Sequence, residues 1–292
     1  MRDDSLGDLF RVTRFQCLRL LESPRWAVGA AAAVLTGVWM GAGIAGQPGV
    51  NEWDVVWLGW NQLTPVVALL FISFVYIAGD IVLRDAVDAF GGVVLTRARH
   101  RTVLWAGTLL AIGIAALAYV LLVSAVMMGV AGLFVPFRAG WAAPPPHVQV
   151  LFGNGTGMSP TLNAHALWGF TPWRMVGRIV ACATLTLWAL VSALVAATQT
   201  GRLPSTPLLA ALVLAVVGLS LIYEVPPLWV PTTQLLLWYH APYWLGGSLR
   251  GIPFGGGLAW TWVSMGGLML VSGVAGGWWH RRADLVRTNA AG

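Results

Sequence analysis

The chain has 292 residues, 58% of them hydrophobic and 10% charged, with a formal net charge of +6. Soluble domains carry about 25% charged residues, so this composition excludes an ordinary soluble enzyme, a disordered chain and a coiled coil. All 17 basic residues are arginine, and without lysine there is neither a Walker A phosphate loop nor a lysine Schiff base.

The first 25 residues open the chain with Leu6, Leu9, Phe10, Phe15, Leu18 and Leu21 interleaved with Arg11, Arg14 and Arg19. Apolar spacings of three and four predict an amphipathic helix over 5–22, lying along the inner membrane surface. Pro24 separates it from the first apolar run. A crossing helix needs about 20 mainly apolar residues, and six runs qualify or nearly so: 26–46, 63–83, 103–135, 176–198, 207–223 and 258–278. The first is read as a retained span, because it is longer than a signal-peptide core and follows a long segment of mixed charge. The third is too long for an upright helix and is expected to tilt or project.

Arginine placement orients these runs. If six helices alternate, 13 arginines fall on one side and 4 on the other. The positive-inside rule then puts both termini in the cytoplasm. Three segments face outward: 47–62, 136–175 and 224–257. The last contains Thr232 to Trp238, expected to form a short re-entrant or interfacial helix between spans five and six. Trp229, Trp238, Tyr239, Tyr243 and Trp244 suit a bilayer interface. The expected fold is a single all-α integral membrane domain over 1–292.

Chemistry-bearing residues are few. His147, His165 and His240 with Glu52 and Asp54 lack the close spacing of a zinc motif, and no metal site is expected. No G-x-S-x-G occurs. Cys17 and Cys182 fall on the inner side and inside a span, so both are expected to be free thiols. Glu224, at the outer end of span five, is a candidate for lining a translocation path or supporting the re-entrant segment. Asp80 is expected to pair with Arg84, one turn on. Gly37-x-x-x-Gly41 and Gly273-x-x-x-Gly277 permit close helix approach, with packing inside the chain favoured over a dimer seam.

The most patterned segment is 84–102. Arg84, Asp85 and Asp88 end the second span; Gly91-Gly92 follow; then Arg97, Arg99 and Arg101 alternate into the third. A loop that only turns would be shorter, and a topology anchor explains the arginines but not the acids or the glycine pair. Alternating arginines beside apolar residues can dock an acidic or aromatic surface. Together with the N-terminal helix, the six spans, the re-entrant element and the ending Trp278-Trp279-His280-Arg281-Arg282-Ala283-Asp284-Leu285, this layout resembles the type-2 ABC transporter permeases.

That resemblance implies that Arg84, Asp85, Asp88, Gly91, Arg97, Arg99 and Arg101 form a coupling segment contacting a separate ABC ATPase dimer, which would hold ATP and Mg. It implies a second permease protomer, identical or similar, and a non-catalytic role for this chain: exporting an amphipathic or lipid-like compound or peptide across a plasma membrane of bacterial type. The partners expected are thus the ATPase, a protomer and membrane lipid, with no nucleic acid and no cofactor in the chain itself. The competing readings are a membrane-embedded enzyme acting on lipid-linked substrates and a non-transporting scaffold subunit.

Overall fold

The computed structural model describes residues 3–62, 64–87, 101–141, 171–200, 205–222, 231–235 and 258–290. Among them every regular element is helical. In chain order these are α1 (Asp3–Leu21), α2 (Trp26–Ile44), α3 (Glu52–Asn61), a π-helical segment (Pro65–Phe71) that passes into α4 (Ile72–Val87), α5 (Arg101–Ala131), α6 (Pro172–Thr200), α7 (Ser205–Ile222), a 3₁₀ turn (Pro231–Leu235) and α8 (Leu258–Ala290). Three helices are long and apolar enough to cross a membrane, within Trp26–Ile44, Thr102–Ala131 and Pro172–Thr198; the pair Glu52–Asn61 and Pro65–Gly79, bent by 87°, qualifies as a fourth if taken together.

α5 is the post around which the others pack. Its 31 residues extend about 46 Å at 1.5 Å per residue, beyond the ~30 Å of a hydrocarbon core. α2 runs parallel to it through three glycine contacts. Gly29 lies against the Tyr119 ring, Gly37 against Val130 and Gly41 against Phe134; a β-carbon on any of the three would come within 3.2 Å of its neighbour. α8 runs the opposite way, since Gly273 meets Leu109 and Gly276 meets Trp105. The Trp105 Nε1–H donates to the Gly273 carbonyl at 3.1 Å. Both glycine pairs singled out in the sequence therefore serve packing within the chain.

α6 also descends against α5. Trp173 at its start stacks edge-on against Trp53, with ring centroids 4.7 Å apart, while Trp188 donates to the Leu109 carbonyl at 2.7 Å and covers Gly113. Only residues 201–204 separate α6 from α7, a connection short enough to make them antiparallel neighbours.

α1 is a helix, as its periodicity predicts. It spends one apolar face on protein: Val12, Gln16 and Leu20 are buried, with Val12 pressed on Gly107 of α5. Leu6, Phe10 and Leu21 form a second, exposed apolar stripe next to Arg11 and Arg14. Arg11 lies 3.7 Å from Asp8, and the Arg19 guanidinium sits 5.4 Å from the centre of the Phe15 ring.

Residues 47–62 were expected to form an outward segment, with the second span starting at 63. Within them Glu52–Asn61 is a helix whose ten residues are all buried. The acids Glu52 and Asp54 face donors of the chain itself rather than solvent, so they no longer resist burial.

Candidate functional site

The broken pair formed by α3, the π-helical segment and α4, with its flanking residues, carries a run of buried polar groups: Asn51, Glu52, Asp54, Asn61, Gln62 and Ser73. At its N-terminus the Asn51 side chain accepts from the Trp53 N–H at 3.2 Å, and Asp54 Oδ2 accepts from the Asn51 N–H at 2.9 Å, a reciprocal capping box. The same turn is clamped to the chain following α5. Both Glu52 carboxylate oxygens lie within 3.0 Å of the Arg138 backbone N–H; Trp53 Nε1–H donates to the Arg138 carbonyl at 2.8 Å; Asn51 Nδ2–H donates to the Gly140 carbonyl at 2.7 Å. Negative charge at this end also complements the helix dipole.

One turn from its end, α3 runs against α5 and α2. Gly59 admits the Met127 thioether and the Thr36 methyl, and Trp60 Nε1–H donates to Ser124 Oγ at 3.0 Å. The helix then stops. Asn61 donates back to the Trp57 carbonyl at 2.8 Å. Gln62, 6% exposed, gives its backbone N–H to the Leu58 carbonyl, while its side-chain Nε2 meets no acceptor. On the far side of the break Thr64 is exposed and its hydroxyl caps nothing. Pro65 follows, and it has no N–H to continue the ladder.

The π-helical segment re-enters the core beside Tyr119, which is 0% exposed. Its hydroxyl donates to the Leu70 carbonyl at 2.9 Å and lies 2.6 Å from Ser73 Oγ. A π turn misaligns successive backbone partners, and this hydroxyl pair occupies the carbonyl it exposes. Trp26 and Phe74 pack on the same ring. Two turns further on, Arg25 donates to the Tyr76 carbonyl at 3.0 Å, with its guanidinium 4.6 Å from the centre of the Tyr76 ring.

These contacts locate the two arms of the bend. Its first arm starts at Arg138, beyond the end of α5, and its second arm reaches Arg25, just ahead of α2. The pair therefore runs along the bundle in the direction opposite to α2 and α5, and taken together it is long and apolar enough to count as one span.

Of the residues singled out in the sequence, Arg84 and Asp85 continue α4, which ends at Val87, and Arg101 opens α5. Asp88, Gly91, Arg97, Arg99 and Glu224 lie outside the described residues, as do His147, His165 and His240. The expected re-entrant helix over 232–238 is in part a 3₁₀ turn at Pro231–Leu235, with Thr232 and Gln234 buried and Thr261 of α8 donating to Gln234 Oε1 at 3.0 Å. Both cysteines are free thiols, and burial pushes the Cys17 thiol up. Among the described residues no group of three His, Cys, Asp or Glu side chains is placed to hold a metal.

Asn51, Gln62, Ser73 and Tyr119 went unnoticed in the sequence. The signal for the break was there: Asn61-Gln62-Leu63-Thr64-Pro65 interrupts an otherwise apolar stretch, the mark of a discontinuous membrane helix.

A family model described as "Protein of unknown function (DUF2705)" matches residues 30–195 of the chain. That span runs from the first crossing almost to the end of α6 and includes the whole broken pair. No curated protein matches, and no solved structure matches.

Proposed function

The chain belongs to the DUF2705 family of proteins of unknown function, and from that premise we propose that it is the membrane-embedded permease subunit of an ATP-driven transporter of the type-2 ABC class. In this reading six traverses alternate in direction, both termini are cytoplasmic, and ATP is hydrolysed on Mg by a separate ATPase dimer. Two permease protomers form the path, and an amphipathic or lipid-like compound or peptide is exported across a bacterial plasma membrane.

The observation that carries the reading is a convergence at one end of the bundle. α1, with Arg11, Arg14 and Arg19, lies along the first half of α5, where Val12 meets Gly107. The beginning of α5, at Arg101, and the end of α4, with Arg84 and Asp85, bracket the remaining coupling residues Asp88, Gly91, Arg97 and Arg99. The Arg25–Tyr76 contact joins the α1–α2 junction to α4, two turns before Arg84. A push on 84–101 would therefore act on α1, the broken crossing and α5 together. A pure topology signal requires no such mechanical linkage. Glu224 would support the path near the 3₁₀ turn.

The test is a mild-detergent pull-down of the tagged chain with mass spectrometry. A stoichiometric partner carrying a Walker A lysine is expected, and charge reversal at Arg97, Arg99 and Arg101 should uncouple its ATP hydrolysis while the bundle stays folded. Isolation of the chain with no ATPase, or unchanged coupling in the reversed variant, would sink the reading.

A further inference from the structure

We propose that the break in the second crossing, at Gln62 and Thr64, is a binding point for the carbonyl oxygen of an uncharged amphipathic ligand; this rests on the transport reading above and names the chemistry of its cargo. The argument starts from an unmet donor. Gln62 is 94% buried by its 6% exposure, yet its Nε2 has no acceptor. A buried amide N–H without a partner costs about 1–3 kcal/mol, a cost that a ligand oxygen would remove.

The backbone around it points the same way. Broken crossings in transporters concentrate unsatisfied polar groups at the interruption, where irregular backbone is tolerated only beside protein or a cavity. The place of the break along the bundle is given by Trp60 on Ser124 and Gly59 against Met127. Those positions lie four to seven residues inside the end of α5 at Ala131, or roughly 6–11 Å at 1.5 Å per residue.

One side of the break faces out. Thr64 is exposed, its hydroxyl caps nothing, and it stands two residues from the buried amide. From Trp57 to Val67 the sequence carries no charged side chain, so the site supplies hydrogen bonds without a counter-charge. That selects a neutral ester or amide over a phosphate, a carboxylate or an ammonium group. Trp57, Trp60 and Val66, its neighbours along the chain, are buried and apolar.

The experiment compares two probes that differ only in the acceptor. The purified full chain is titrated with 1,2-dioctanoylglycerol, which has two ester carbonyls, and with its di-octyl ether analogue, which has none; apparent Kd is read by native mass spectrometry. The wild-type chain should bind the ester about fivefold tighter, the worth of one net hydrogen bond. Gln62→Leu should abolish the preference and Thr64→Val should reduce it about twofold. Gln16→Leu, which removes a buried polar side chain of α1, should leave it intact.

Equal binding of ester and ether by the wild-type chain, or a preference that survives Gln62→Leu, overturns the proposal. If Gln62→Leu does not yield folded protein, Thr64→Val decides, and an unchanged preference there overturns it as well. The assay needs no ATPase, so a missing ATPase partner defeats the transport reading and leaves this binding result to stand or fall separately.

Discussion

α3 and α8 are both tryptophan-rich and apolar, and they lie on opposite sides of the packing. In α3 every residue is buried, including Trp53, Trp57, Trp60 and the acids Glu52 and Asp54. In α8 an entire face is open: Trp262, Val263, Leu270, Val271, Val274 and Trp278 are all more than half exposed. Hydropathy separates membrane from water, but a lipid tail is as apolar as leucine, so it does not separate protein from lipid. What distinguishes the helices is where their polar atoms go. The indole N–H groups of Trp53 and Trp60 find the Arg138 carbonyl and Ser124, and the α3 acids cap their own helix and hold the Arg138 N–H. The open face of α8 presents mainly apolar side chains.

The sharpest way to break this contrast is to truncate one tryptophan on each helix. Trp60→Ala empties a fully buried indole site and strands the Ser124 hydroxyl, so it should cost about 3–5 kcal/mol. Trp262→Ala, at a position 54% exposed, should stay within about 0.5 kcal/mol. Thermal melting of the detergent-solubilised chain reads both, and equal shifts would mean that α3 is not the interior helix.

A smaller effect separates the role of the acids from mere burial. Glu52→Ala removes a charged acceptor from the Arg138 N–H and should cost about 1.5–3 kcal/mol. Glu52→Gln keeps a neutral acceptor in the same place and should cost roughly half as much. If the glutamine variant were as damaging as the alanine one, the carboxylate charge itself, not the clamp on the chain after α5, would be what the site requires.

Most of the helices were legible in the sequence. The expected spans at 26–46, 103–135, 176–198, 207–223 and 258–278 each overlie a helix, and three of those helices, α2, α5 and α6, are long and apolar enough to cross a membrane. The buried helix Glu52–Asn61 was not. Glu52 and Asp54 made 47–62 look hydrated, since a sequence shows a carboxylate but not the backbone N–H groups that satisfy it 86 residues away at Arg138. The break at 62–64 had a readable cue in Pro65 and its polar neighbours, yet only the fold shows that Gln62 is buried while Thr64 is open. Tyr119 was invisible for a related reason: one tyrosine in a long apolar helix reads as packing until the π turn opposite it presents the Leu70 carbonyl. The N-terminal helix was legible in type but not in use, because periodicity reveals an apolar face without saying that α5 covers half of it.

The smallest effect tests α8 against itself. Gly276 faces inward, and a β-carbon there would collide with the indole of Trp105, a rigid ring whose N–H is already committed to the Gly273 carbonyl. Gly266 and Gly267, two to three turns earlier, have open space where a β-carbon would stand. Gly276→Ala should therefore cost about 1–3 kcal/mol through overpacking, since the indole cannot yield without giving up its hydrogen bond. Gly266→Ala should be neutral or stabilising by up to about 1 kcal/mol, because alanine favours the helix over glycine and nothing opposes the methyl group. A destabilising Gly266→Ala in the detergent-solubilised chain would mean that the open face of α8 is packed after all, and the surface to search would then be a second protomer's. A neutral result leaves that face to lipid and places the inner boundary of α8 at the line of Gly273, Gly276 and Trp105.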